Sequence, residues 1–276
     1  MASVERRRRL IVTADDFGRS GSINKAVESA HRQGVLTCAS LMVNGEAFEG
    51  AVGIAKANPR LGVGLHLTLC CGSATLGHTE IPDLVNEDGT LPQSAVAAGF
   101  VYYFSRGLTE QLRAEITAQF QKFADTGLAC DHVNGHLHFH LHPTVLPIIL
   151  EEAQKRGIKA MRWTKPAALE WKIGKGRWLY RTTHWYIFRA LSKRAERHLQ
   201  KTSMKHVEQV FGILEDSRVT EELILELLPQ LPEGNSELYS HPSLDDFRRE
   251  YDALVSPRTK AAMVEQGIEL IRYQDL

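Results

Sequence analysis

The 276-residue chain predicts an α/β fold built on a closed parallel barrel, and three observations carry that expectation. Short apolar runs alternate with amphipathic stretches about seven times, an order that places parallel strands inside and helices outside. A chain of this length suits one closed barrel of about seven strands better than an open doubly wound sheet. The turn after the first apolar run is Ala14-Asp15-Asp16-Phe17-Gly18, acidic where an open nucleotide-binding sheet needs glycines to cradle a phosphate. Neither a GxGxxG segment nor a GxxxxGK segment occurs, so nucleotide binding loses its motif support.

Each element has a local reason. Residues 10–14 form an unbroken apolar run, the pattern of a strand buried on both faces. Residues 23–32 carry helical spacing at Ile23, Ala26, Val27 and Ala30 and stop at Gly34. Residues 37–43 read as the second strand with Asn44-Gly45 as its turn, 47–57 as a helix stopped by Asn58-Pro59, and 61–69 as the third strand. Glycines and Pro82 and Pro92 punctuate a loop-rich insertion over about 70–107. A long helix over 108–126 presents Leu112, Ile116, Phe120 and Phe123 on one face. Then come strand 131–138, helix 144–156, strand 158–163, strand 207–214, helix 220–228, strand 236–240, helix 258–266 and a last strand at 269–273. A second insertion, rich in Trp and Arg, occupies about 165–205, and residues 1–276 read as a single domain.

Composition narrows the function classes. Lys+Arg and Asp+Glu both number 33, for a formal net charge of zero; 43% of residues are apolar and 24% charged. That is ordinary globular usage, which excludes a disordered tail, a fibre and a generally basic nucleic-acid binder. Four cysteines, Cys38, Cys70, Cys71 and Cys130, with no CxxC pair, make no disulfide framework, so reduced thiols and a cytoplasmic location are expected. The first residues show no signal-peptide pattern, and no stretch reaches the roughly 18 apolar residues of a membrane span.

The polar residues that interrupt the strands fall at strand C-terminal ends, the face that carries the active site in a (β/α) barrel. These are Asp15-Asp16, His66 within Gly62-Val-Gly-Leu-His-Leu, the run His132-Val-Asn-Gly-His-Leu-His-Phe-His-Leu-His142, and His241-Pro242. Five of the 12 histidines lie at even positions from 132 to 142. In an extended segment, residues two apart share a face, so His132, Asn134, His136 and His138 would line one side. Two imidazoles and a carboxylate make a familiar open site for a hydrolytic metal, and Asp16, His66 and His136 come from three separate strand ends. Only one or two of the five clustered histidines need be ligands, and paired aspartates after a strand also serve as the N-terminus of the next helix.

The second insertion holds all four tryptophans, Trp163, Trp171, Trp178 and Trp185, the last three at heptad spacing. Residues 165–205 carry eleven Lys/Arg against Glu170 and Glu196. This reads either as a cationic, amphipathic segment touching a membrane surface or an apolar substrate, or as a helix that packs its apolar stripe on the barrel and leaves a solvated basic face.

At Ile11-Val-Thr-Ala-Asp-Asp-Phe-Gly, Ala39-Ser-Leu-Met-Val-Asn-Gly, Gly62-Val-Gly-Leu-His-Leu, Asp131-His-Val-Asn-Gly-His-Leu-His and Glu237-Leu-Tyr-Ser-His-Pro, the chain resembles the YdjC-like carbohydrate deacetylases. Within that family the likeness is to the branch associated with hopanoid biosynthesis. The resemblance implies a distorted (β/α) barrel of the polysaccharide-deacetylase kind and one divalent metal, zinc or magnesium. It implies Asp16, His66 and His136 as metal ligands, Asp15 as general base and His241 as general acid. Asn134, His138, Arg162 and Trp163 are expected along the substrate. Asn134 stands where family members often have Asp, and Thr13 where they often have Asn. The expected activity is removal of the acetyl group from an N-acetylglucosamine-type sugar, carried on a hopanoid lipid, by an enzyme peripheral to the membrane through 163–205 and with no nucleic-acid partner. The alternatives are a deacetylase of soluble chitooligosaccharides and a non-catalytic sugar- or lipid-binding barrel. A phosphodiesterase fits less well, because two-metal sites need more carboxylates than these motifs supply.

Overall fold

A computed structural model describes residues 7–215 and 217–276; the first residue of the 6–9 arginine run lies outside the described residues. Strand β1 (Arg8–Phe17) is the centre of a parallel sheet, and its middle is inaccessible on both faces, which is why its apolar run does not alternate. After it come α1 (Gly21–Gln33), β2 (Cys38–Leu41), α2 (Phe48–Ala57), β3 (Gly62–Leu67), α3 (Ala95–Phe104), α4 (Leu108–Asp125) and β4 (Val133–Gly135). The second half holds α5 (Val145–Lys155), α6 (Ala168–Ile173), α7 (Trp178–Leu199), β5 (Gln209–Phe211), α8 (Glu221–Leu227), β6 (Gly234–Ser240), α9 (Arg248–Val255), α10 (Pro257–Glu265) and β7 (Glu269–Leu270).

The sheet runs β4-β3-β2-β1-β6-β5, with β7 paired to the start of β1. The ring is completed by single bridges: Val133 with Met161, Ala160 with Lys205, and Pro166 with Val210, all parallel. The expected strand at 158–163 is therefore an irregular wall segment and not a regular strand, and this is the distortion of the barrel. Pro166 explains part of it, since it offers no N–H to a ladder. The expected strand at 131–138 is shorter too. Leu137 and His138 both take left-handed backbone (φ 50° and 60°), which ends the extended alternation at Gly135 and turns the chain into a 3-10 segment over 136–141.

Two helices escaped the periodicity reading. Helix α3 lies in what read as a loop insertion; its sequence AVAAGFVYYF has no polar face to reveal it, and Ser94 caps it by accepting from Ala97 N. Helix α9 is short and lies between the expected strand 236–240 and the expected helix 258–266, a stretch to which no element was assigned. Gly64 of β3 is fixed by close approach: a Cβ there would lie 2.5 Å from the His132 carbonyl oxygen and 2.6 Å from its ring.

The second insertion is built onto the barrel. Helix α7 buries Arg181, Phe188, Ser192, Ala195 and Leu199, so the packing reading holds for that face. Arg181 pairs with Glu215 and donates to the carbonyls of Glu170 and Trp171. Glu170 Oε1 accepts from Gly212 N at 2.9 Å and Leu214 N at 2.8 Å, while Oε2 has no partner. Burial, with the nearby Glu215 carboxylate, pushes the Glu170 pKa up to about 8 against two backbone donors that lower it. Between its ordinary 4.5 and about 8 the folded chain holds a proton that the unfolded chain has released, so stability falls as pH rises through that window. Glu170→Gln keeps the Oε1 acceptor and removes the proton. Urea denaturation across this range should show the variant gaining on the parent as pH rises; parallel stability curves would show that Glu170 does not titrate there.

Candidate active site

The C-terminal ends of β1, β3 and β4 converge at one mouth of the barrel. Asp16 is placed by a break in β1: the register to β2 shifts between Ala14 and Phe17, and Asp16 itself has φ 62°. Left-handed backbone is tolerated by Asp at a cost of about 1 kcal/mol or more, the kind of local strain found at functional turns. Arg19 donates to Asp16 Oδ2 at 2.8 Å, leaving Oδ1 turned inward. There His136 Nδ1 lies 2.9 Å and His66 Nε2 3.2 Å from it. The His66 Nε2 contact lacks hydrogen-bond geometry, so this buried nitrogen has no partner. All three side chains are buried, and their donor atoms lie within 4.8 Å of one another.

Asn134 sets the chemistry of His66. Its amide nitrogen donates to Asp15 Oδ1 at 3.0 Å and to Ser40 Oγ at 2.9 Å, so its oxygen must face His66 Nδ1, 2.7 Å away. An oxygen there can only accept, which puts the His66 proton on Nδ1 and leaves the Nε2 lone pair aimed into the cluster. A lone imidazole nitrogen, a second imidazole and a carboxylate oxygen suit one divalent ion, which Asp16, His66 and His136 would hold.

Asp15 is held from behind. Arg162, with no accessible surface, donates Nη1 to Asp15 Oδ2 at 2.5 Å and Nη2 to Asp15 Oδ1 at 3.0 Å. The same guanidinium reaches Glu237 through Nε at 3.1 Å and Nη2 at 2.8 Å, and stacks 4.4 Å over the Tyr239 ring. Glu237 also accepts from Thr13 Oγ1 at 2.7 Å and from the Tyr273 hydroxyl. Burial works to raise the Asp15 pKa, but Arg162 and then His66 overcome it and hold the carboxyl well below its ordinary range. Asp16 is likewise held low by His136 and His66 against burial. For His66, burial is outweighed by Asp15 and Asp16, and its pKa is raised.

The remaining expected residues are spread around this centre. His241 sits on the β6 side of the rim, half-buried, with Nδ1 3.3 Å from Ser217 Oγ and 3.8 Å from Glu250 Oε2. His138 leaves the expected shared face: Nε2 is 3.0 Å from the Tyr239 hydroxyl and its ring packs 4.8 Å from Phe188. Trp163 is buried beneath α7, its indole donating to Ser192 O at 3.1 Å. Ser40, Glu237, Tyr239 and Tyr273 complete the network without having been singled out. Glu237 carried a readable signal, a charge inside a buried strand, which needs an equally buried cation such as Arg162.

A second set of donor types, Cys38, Asp131 and His132, lies deeper in the barrel, but it does not fit an ion. His132 Nε2 pairs with Ser40 Oγ at 3.0 Å and Nδ1 with Asp131 at 3.0 Å, while the Cys38 thiol donates to Asp131 at 3.4 Å. Burial and then Asp131 push the Cys38 pKa well up, keeping the thiol protonated. This layer is a satisfied hydrogen-bond lock under the site.

Removing Arg162 would strand two buried carboxylates. Arg162→Met should cost about 3–5 kcal/mol in urea denaturation of the metal-free protein. A loss under about 1 kcal/mol would mean that the pair relaxes to water and that Arg162 does not organise the site.

Comparison with known proteins agrees with this architecture. A carbohydrate deacetylase of Brevibacillus brevis is 42% identical over 147 residues, 53% of this chain and 56% of that protein, so this match spans about half of each. A chitooligosaccharide deacetylase of Proteus mirabilis is 28% identical over 287 residues, covering 97% of this chain and 98% of that one. The crystal structure of a candidate cellobiose-phosphate cleavage protein from Enterococcus faecalis V583 shares the fold, with a TM-score of 0.75 and 24% identity over 98% of both chains. Residues 9–265 match the model of the YdjC-like proteins, and the chain belongs to that family.

Proposed function

We propose that this protein is a metal-dependent N-deacetylase of amino sugars. The observation that carries the proposal is the unpartnered, buried Nε2 of His66 beside Asp16 Oδ1 and His136 Nδ1, with an ionised Asp15 next in the chain. A divalent ion held by these three would act as a Lewis acid toward the acetyl carbonyl and make a water more acidic. Two imidazoles among three donors favour zinc over magnesium, which prefers oxygen ligands.

The chain's own groups divide the proton work. Both Asp15 Oδ1 lone pairs are committed to Asn134 and Arg162, but Oδ2 meets only Arg162 and keeps one lone pair for a proton from the attacking water. Its low pKa keeps it charged at neutral pH. His241, across the rim, gives a proton to the departing amine; with Nδ1 facing Ser217 and Glu250, Nε2 is the nitrogen left for substrate. Asn134 and Arg162 act through Asp15 and His66, His138 lines the groove beside the centre, and Trp163 acts by seating α7. Acetate leaves on one side and a free amine on the other.

The relatives' names support a carbohydrate substrate, and the full-length match to a chitooligosaccharide deacetylase favours a free oligosaccharide as one form of it. The resemblance to the hopanoid-associated branch supports a lipid-borne amino sugar met at a membrane face. Among the described residues, no helix is long and apolar enough to cross a membrane.

Acetate release from purified protein tests the reaction on free and lipid-linked N-acetyl sugars. Release should stop on chelation and return with zinc. Asp15→Asn and His241→Ala should each lower kcat about a hundredfold or more with metal still bound. Metal-independent release, or full activity in both variants, would refute the mechanism.

A further inference from the structure

Helix α3 is apolar around its whole circumference, yet only Ala98 and Tyr102 are buried. Phe100 is 63% exposed and Phe104 71%, with Val96, Val101 and Tyr103 also exposed. A helix without a polar face is ordinarily buried, so this one lacks its covering. Across a groove of about 520 Å³ stands α7, whose side of the groove is His184, Ile187, Phe188 and Leu191. On α7, Trp178 is 74% exposed and Tyr186 68%, with Leu179 and Ile187 beside them. The groove floor contains Leu137 and His138, the residues immediately after the metal-centre residue His136.

Charge decides what covers this surface. Helix α7 also exposes Arg189, Lys193, Arg194 and Arg197, and its one acidic residue is Glu196. Helix α3 has no charged residue. Aromatic side chains with a basic margin match an anionic bilayer, in which rings enter the headgroup boundary and cations meet phosphate. A second copy of the chain would bring the same basic margin against itself.

We infer that α3 and α7 together form an interfacial docking surface that seats the enzyme on anionic phospholipid, with the groove opening toward the bilayer and the reaction centre behind it. This deepens the lipid-borne reading of the substrate by naming the membrane face, and α3, from the first insertion, supplies as much of it as the Trp/Arg segment. Trp163 and Trp185 belong instead to the packing of α7 on the barrel.

Co-sedimentation of the zinc-loaded full-length protein tests this with vesicles of phosphatidylcholine alone and of phosphatidylcholine with phosphatidylglycerol. Binding should require the anionic lipid and weaken with salt. Phe100→Ser/Phe104→Ser and Trp178→Ser/Tyr186→Ser should each reduce partitioning at least about tenfold, and Lys193→Glu/Arg194→Glu should remove the preference for anionic vesicles. Circular dichroism and bound zinc should be unchanged in all three. Equal partitioning of parent and variants, or a parent that stays in the supernatant, would overturn the inference. So would a parent dimer in light scattering that Phe100→Ser/Phe104→Ser converts to monomer, because α3 would then be covered by a second copy. Acetate release from free and lipid-linked N-acetyl sugars reads the catalytic proposal separately: its failure on both with vesicle binding intact removes the deacetylase and leaves the docking surface.

Discussion

Three carboxylates, those of Asp15, Asp16 and Glu237, are buried at and just below the mouth of this barrel, and everything else at the site answers the cost of keeping them there. Arg162 spans Asp15 and Glu237, and two imidazoles face Asp16. A buried charge without a partner costs several kcal/mol, so the partners are obligatory, and each arrives from a different element. Arg162 comes from the irregular wall segment, His66 from β3 and His136 from the 3-10 segment after β4. The C-terminal residues join in through the Tyr273 hydroxyl on Glu237 and the Tyr273 ring, which stacks 4.5 Å from His132. Closing the barrel and assembling the site are one physical event, since the wall segment bridged to β4 and β5 is the one that delivers the guanidinium.

This explains which parts were legible in the sequence. Residues whose chemistry is unusual for a strand end announce themselves: Asp15-Asp16, His66 and His136 are polar groups closing apolar runs, and they meet in space. The supporting network was harder to see: Arg162 was expected along the substrate and not behind Asp15, and its other partner, Glu237, lies 75 positions away. His138 misled because alternation holds only while the backbone stays extended, and two successive left-handed residues end it. The wall segment read as a strand because its composition is apolar, while its pairing is reduced to single bridges.

The two insertions divide along the same line between what a pattern shows and what packing decides. Helix α7 was foreseen, and the packing reading describes it: one face packs on the barrel through Arg181, Phe188 and Leu199, and the other presents aromatic and basic groups to solvent. Helix α3 was hidden, since an apolar helix without periodicity resembles an apolar loop in sequence. Its exposure, and not its composition, makes it informative.

Placement of the ion itself tests the account most directly. In a crystal structure of zinc-loaded protein, anomalous scattering at the zinc edge should give one peak, about 2.0–2.2 Å from an imidazole nitrogen of both His66 and His136 and from a carboxylate oxygen of Asp16. The principal peak at Cys38, Asp131 and His132, or no peak at the barrel mouth under saturating zinc, would contradict it.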